Sequence, residues 1–154
     1  MNTNPKYQKN LYGLNLEFSS LVKLYENNML SNKILLSGPK GIGKSTMAYH
    51  FINYIFSKDE DHSYNLNGFL ISPENKSYKL IENQSHPNLF CIDLLNEKKS
   101  IEISQIREMI KYANKSSFNN KPRFVLIDNV ENLNINSLNA LLKIIEEPNE
   151  NLFF

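Results

Sequence analysis

A single cysteine, Cys91, in a chain of 154 residues rules out an internal disulfide and any multi-cysteine zinc site. It lies in an apolar stretch and reads as a buried structural thiol, which suits a reducing compartment. Neither sign of charge is in excess. With 17 basic against 16 acidic residues the formal net charge is +1, so no global basic field announces nucleic acid, and any such contact has to be local or shared with partners. No apolar run approaches the roughly 18 residues of a membrane span, and Met1 to Asn10 is polar. Neither a signal peptide nor an anchor is therefore expected, and the chain reads as cytoplasmic. Repeats are absent as well. The length suits one domain with a real core and not two comfortable ones, so a single α/β domain is the expectation.

Glycine is also scarce, and its placement is informative. Three of the five, Gly38, Gly41 and Gly43, fall within six residues of one another. The run Ser37-Gly38-Pro39-Lys40-Gly41-Ile42-Gly43-Lys44-Ser45-Thr46 matches the phosphate-loop pattern G-x-x-x-x-G-K-[ST]. Glycines let the backbone curl so that successive N–H groups point at a phosphate, and a helix N-terminus adds the positive end of its dipole. Lys44 is then the residue that reaches the β- and γ-phosphates, and Ser45 offers its hydroxyl to Mg²⁺ with Thr46 behind it. The flanks agree with this reading. Lys33 to Leu36 reads as a short buried strand, and Ser45 to Phe56 as a helix with Met47, Ala48, Phe51, Ile52 and Ile55 at helical spacing.

Elsewhere, Leu14 to Asn27 carries apolar residues at Leu14, Phe18, Leu21, Val22 and Tyr25, the pattern of a helix packed beside the first strand. From Ser57 to Pro87 the pattern weakens into charge, asparagine and proline, and this is the variable part of the domain. Asn88 to Leu95 reads as a second strand, with Asp93 a solvated acid at its end. Ser104 is placed to cap a helix bearing Ile106, Met109, Ile110 and Ala113, which ends before a Ser/Asn turn at 116–120. Arg123 to Asp128 is four apolar residues ending in an acid, the shape of a buried parallel strand that carries a carboxylate to its C-terminal edge. It resembles a Walker B strand, and Asp128 is the candidate metal-side carboxylate, shared with Ser45. A last helix begins at Asn136 or Ser137, carries Leu138, Leu141, Leu142 and Ile145, and closes at Pro148. Alternating strands and helices predict a parallel sheet with helices on both faces.

The loop 35–46, the strand 124–128 and the block Ser137-Leu138-Asn139-Ala140-Leu141-Leu142-Lys143-Ile144-Ile145-Glu146-Glu147-Pro148 together resemble the AAA+ clamp-loader subunits of bacterial DNA polymerase III. The string N-A-L-L-K-x-x-E-E-P, Asn139 to Pro148, carries most of that likeness. His86-Pro87-Asn88 ahead of a strand and the helix from Ile103 to Ile110 look like the delta prime branch. The resemblance implies a P-loop NTPase three-layer sandwich with a parallel sheet spanning 1–154. It implies a cofactor-binding set of Gly38, Pro39, Lys40, Gly41, Ile42, Gly43, Lys44, Ser45, Thr46 and Asp128, with ATP and Mg²⁺ as ligands. Gamma/tau and delta subunits are the implied partners in a hetero-oligomer that meets the sliding clamp and primer-template DNA.

Two departures from the family pattern matter. Ser57 to Pro87 holds none of the four cysteines that gamma/tau relatives often carry there, so zinc is not expected. Asn129 stands where an active ATPase has the glutamate that polarises water, and an amide is no base. Glu131, two residues on, reads as a solvated loop acid. The chain's own ATPase is accordingly expected to be weak or absent. Asn151 to Phe154 looks like the opening of the sensor 1 strand, so the domain is expected to be incomplete at its C-terminus, with lid and collar beyond it. The competing readings are a gamma/tau-like ATPase, a stand-alone P-loop ATPase or kinase, and a relic loop that binds nothing.

Overall fold

The computed structural model describes residues 3–95, 98–116, 119, 121–147, 149 and 151–154. These residues group into two compact units, Met1–Ser31 with Leu35–His86, and Asn32–Ile34 with Pro87–Phe154. No helix among the described residues is long and apolar enough to cross a membrane.

The first unit is helical. Helix α1 spans Asn15–Glu26, α2 Lys44–Phe56 and α3 Lys76–Glu82. Helix α2 is its centre: from Met47 to Phe56 every residue but Tyr49 is buried. The α1 side chain Phe18 is wholly buried and meets the rings of Tyr64 and Phe69 at 5.2 and 5.8 Å, so it supplies about 1.5–3 kcal/mol of burial. Asn28, in the left-handed region at φ 55°, ends α1 by sending its own N–H to Tyr25 and that of Met29 to Leu24. The weakly patterned stretch 57–87 holds α3, which sequence periodicity does not reveal. Seven residues make too few turns to show a period. Asn75 caps it by accepting from the Tyr78 N–H at 2.7 Å, and the Glu60 carboxylate accepts from the N–H groups of Lys76 and Ser77.

Several buried polar side chains of this unit are paired, although Asn53 Oδ1 is buried without a hydrogen-bond partner. His50 is fully buried, its Nε2 3.2 Å from the Gln8 carbonyl and its Nδ1 2.8 Å from the Tyr64 hydroxyl. A carbonyl can only accept, so Nε2 carries the proton and Nδ1 accepts from Tyr64. Burial pulls the imidazole pKa down to about 4.

The second unit is α/β, as expected. Strands β1 (Leu89–Ile92), β2 (Arg123–Ile127) and β3 (Leu152–Phe153) form a parallel sheet in the order β1-β2-β3. Helices α4 (Ile103–Ala113) and α5 (Ile135–Glu146) make the two crossovers. They pack on each other and so share one face, as right-handed crossovers between sequential neighbours require. Their core joins Ile106, Met109 and Leu141 to Ile92, Val125 and Leu152 of the strands. Within this unit, therefore, α4 and α5 lie on one face of the sheet.

Several local expectations are corrected. Lys33 to Leu36 is not a full strand: the N–H of Ile34 bonds Phe154 and the N–H of Phe154 bonds Asn32, but pairing stops there and Leu35 is 77% exposed. An apolar run becomes a strand only as far as a partner backbone runs beside it. Cys91 is exposed, not buried, because residues alternate along β1 and Phe90 and Ile92 take the face that packs on the helices. The N-cap of α4 is Glu102, not Ser104; the Gln105 side chain accepts the Glu102 N–H at 3.1 Å. Helix α5 starts at Ile135, with Asn134 as its cap accepting from the Ser137 N–H at 2.9 Å. Pro148 and positions 117, 118 and 120 of the expected turn lie outside the described residues.

Candidate functional site

Gly38 to Thr46 belong to the first unit, and they form a loop leading straight into α2. Residues 37–42 are exposed and 43–46 half-buried. Gly38, Gly41 and Gly43 all have positive φ, at 150°, 83° and 100°. Gly43 is the N-cap of α2, and its left-handed backbone would strain any other residue. Space is not the obstacle there, since a Cβ would meet only a Leu14 methyl at 3.6 Å. The first turn of α2 has no acidic residue, so nothing offsets the positive end of a 13-residue helix dipole.

Lys44 folds back over the loop. Its Nζ donates to the carbonyls of Gly38 and Pro39, both at 2.9 Å, so one ammonium ties the two ends of the turn together. Ser45 and Thr46 follow in the first turn of α2. Lys40 and Ile42 lie exposed on the loop, Ile42 at 47%. Such a loop, with a cation inside its curl and a helix N-terminus behind it, is a ready phosphate cradle.

Asp128 belongs to the second unit, where it follows β2 directly. Its N–H extends the ladder to the Ile92 carbonyl at 2.9 Å, and its Oδ1 accepts the Asn129 N–H at 2.9 Å. Asn129 sits in the left-handed region, φ 54° and ψ 43°, a conformation that asparagine tolerates better than most residues. Its side chain reaches across to the neighbouring strand and donates to Asp93 Oδ1 at 2.7 Å. Asp93 Oδ1 also accepts the Leu94 N–H at 2.7 Å, and the Asp93 carbonyl accepts from Gln105 Nε2 at 2.8 Å. Asp93 is exposed, as its reading as a strand-end acid anticipated, but it is engaged as well. Glu131 is exposed in the 3-10 turn Val130–Asn132.

The sequence reading missed the Asp93–Asn129 pair and the part played by Gln105. A signal was available. The pattern of an apolar run closed by an acid, which singles out Arg123 to Asp128, also occurs in Leu89 to Asp93. Adjacent parallel strands of matched register bring such acids to one edge: Ile92 pairs with Ile127, so Asp93 and Asp128 follow side by side.

The family described as DNA polymerase III, delta subunit, matches residues 15–154. DNA polymerase III subunit delta' of Pseudomonas aeruginosa is 29% identical over 114 residues, covering 74% of this chain and 33% of the relative. Subunit tau of Bacillus subtilis is 32% identical over 138 residues, covering 87% of this chain and 23% of the relative. Subunit delta' of Buchnera aphidicola subsp. Baizongia pistaciae is 26% identical over 152 residues, covering 94% of this chain and 44% of the relative. The chain therefore spans less than half the length of these relatives.

Proposed function

We propose that this chain, which belongs to the DNA polymerase III delta-subunit family, is the nucleotide-binding base of a delta prime-like clamp-loader subunit. In this reading it works in the cytoplasm within a hetero-oligomer containing gamma/tau and delta subunits. That assembly places the sliding clamp on primed DNA during replication. The observation that carries the reading is the loop, with Gly43 opening α2 in a left-handed conformation and Lys44 held inside the turn.

ATP is the ligand proposed, with its phosphates cradled by residues 38–46 and its terminal groups drawing on the Lys44 ammonium. Ser45 and Asp128 would hold Mg²⁺, whose preference for hard oxygen donors a hydroxyl and a carboxylate satisfy. The ion neutralises charge on the phosphates. Asn129 cannot take a proton from water, so the chain's own hydrolysis is slow, well below the ~1 s⁻¹ at the low end of ordinary enzymes. A subunit of this kind contributes mainly as a nucleotide-bound neighbour to others.

Titration calorimetry with ATP and Mg²⁺ tests the reading. Binding is expected for the native chain, and Lys44→Ala should weaken it by at least tenfold, since a hydrogen bond to a charged group contributes about 1.5–3 kcal/mol. No heat of binding in the native chain would instead support a relic loop. A tau-like active ATPase is the second reading, favoured by the 32% identity to the Bacillus subtilis tau subunit. Steady-state turnover above about 1 s⁻¹ by the chain alone would select it.

A further inference from the structure

We propose that Asn67 is a site of spontaneous backbone modification, in which its side-chain amide is displaced by the Gly68 nitrogen, and that Asn65 slows the reaction by holding that nitrogen's proton. The inference lies wholly within the first unit and is independent of the nucleotide site. Of the five glycines only Gly68 follows an asparagine. The order of the two residues matters: a bond from the glycine nitrogen to the asparagine Cγ closes an unstrained five-membered ring, and glycine has no Cβ to screen the approach.

The reacting atoms are accessible. Residues 65–68 are all exposed, and the Asn67 side chain makes no hydrogen bond among the described residues. Its amide can therefore rotate onto the neighbouring nitrogen. One contact opposes the step. The Gly68 N–H donates to Asn65 Oδ1 at 2.9 Å, and the nitrogen must shed that proton to become a nucleophile. A hydrogen bond to the protonated form disfavours its loss, and the amide anion left behind would face an oxygen.

The reaction needs only water. Gly68 N loses its proton to solvent and bonds to Asn67 Cγ; the Cγ–Nδ2 bond breaks, and the nitrogen takes up a proton and leaves as ammonia. Water then opens the cyclic imide. Breaking the bond from Cγ to Gly68 N restores the ordinary backbone with aspartate at 67. Breaking the bond from the main-chain carbonyl carbon to Gly68 N routes the backbone through Cβ and Cγ, which is isoaspartate.

That second product has a structural consequence. Asn65 and Leu70 exchange both backbone bonds across the turn, at 3.0 and 3.1 Å. Just beyond them, the Phe69 carbonyl accepts the Leu11 N–H at 3.0 Å and the Lys9 carbonyl accepts the Ile71 N–H at 2.9 Å. Phe69 itself is held in the left-handed region at φ 50°, strained for an aromatic residue, with its ring 5.8 Å from that of Phe18. An extra backbone carbon between 67 and 68 mismatches this turn, so isoaspartate loosens the tie between residues 9–11 and 69–71.

Incubation of the full chain in mildly alkaline buffer tests the proposal, with peptide mapping by mass spectrometry to find where NH is replaced by O and methyltransferase labelling to count isoaspartate. Asn67 should convert ahead of the other asparagines. Asn65→Ala should speed conversion about two- to tenfold, the span that one neutral hydrogen bond allows, whereas Asn65→Asp, which keeps an acceptor for the Gly68 N–H, should be no faster than the native chain. Asn67→Ser should give no isoaspartate at this position. Amide exchange at Leu11 and Ile71 should be faster in converted molecules than in fresh ones. Matching circular dichroism and melting midpoints before incubation establish that each variant folds. Conversion of other asparagines with Asn67 intact overturns the site. Equal rates in the native chain and Asn65→Ala, or equal acceleration by Asn65→Ala and Asn65→Asp, overturn the part assigned to Asn65, and unchanged exchange at Leu11 and Ile71 overturns the structural consequence.

Discussion

At the scale of single residues, burial sets the behaviour of His50. Its pKa of about 4 in the folded chain lies below the ordinary 6.5, because the interior disfavours the imidazolium. Between these values the unfolded chain binds a proton that the folded chain refuses. The stability that His50 lends is therefore complete above pH 6.5 and is lost as pH falls towards 4. A difference of about 2.5 units amounts to roughly 3 kcal/mol. Urea unfolding at pH 7 and pH 4.5 should show that loss, and His50→Gln, which does not titrate, should lose less over the same interval. Equal losses in the two proteins would mean that other groups carry the acid sensitivity. Gly43 makes a different demand, one of conformation. With φ at 100°, Gly43→Ala is expected to cost about 1–2 kcal/mol through strain at the mouth of the loop. Unfolding midpoints unchanged by that substitution would show that the loop relaxes freely.

At the scale of elements, the end of α4 depends on a residue from the next strand. Arg123 opens β2 yet is buried, and its Nη1 and Nη2 donate to the carbonyls of Tyr112 and Ala113 at 3.0 and 3.2 Å. The guanidinium thus stands at the negative end of the helix dipole, 5.4 Å from the Tyr112 ring. Arg123→Leu would remove the charged donor from both carbonyls, leaving the Lys115 N–H on Tyr112 and Asn149 Nδ2 on Ala113, and should destabilise the chain by about 1.5–3 kcal/mol in denaturant unfolding. A loss under 0.5 kcal/mol would show the cap to be dispensable. The cap of α5 is simpler, and Asn134→Ala should cost about 1 kcal/mol. These two helices also show what the sequence makes legible. Their apolar spacing and the apolar runs of β1 and β2 mark element type well, because burial on one face imposes the period. Their starts are less legible: Glu102 is an unusual cap and works only with Gln105 three residues on. Helix α3 is too short to show a period, and Cys91 shows that an apolar neighbourhood does not decide which face of a strand a side chain takes. The glycine loop 38–46 is readable from its sequence because the left-handed backbone it needs at Gly38, Gly41 and Gly43 is a local demand. The Asp93–Asn129 bond joins positions 36 residues apart and depends on strand register, which no local pattern states.

At the scale of the whole molecule, the chain has a helical unit that carries the glycine loop 38–46 and an α/β unit that carries the strand-edge acids. Its relatives are named as subunits of one polymerase, and it matches under half the length of those first compared. A nucleotide that binds the folded chain and not the unfolded one must raise stability by mass action, whether or not it is hydrolysed. That separates binding from turnover, the distinction that Asn129 makes necessary. With free ATP and Mg²⁺ at a hundred times Kd, the added stability is about 2.7 kcal/mol. For a chain of this size each kcal/mol moves the melting midpoint by roughly 2–4 °C, so the chain should melt about 5–11 °C higher. Lys44→Ala, with binding at least tenfold weaker, should cut the shift to about half or less at the same concentration, while Asp93→Asn, which changes no group proposed to hold the phosphates, should keep it. An undiminished shift in Lys44→Ala would place the nucleotide somewhere other than the loop, and loss of the shift in Asp93→Asn would show that binding draws on more than the loop residues.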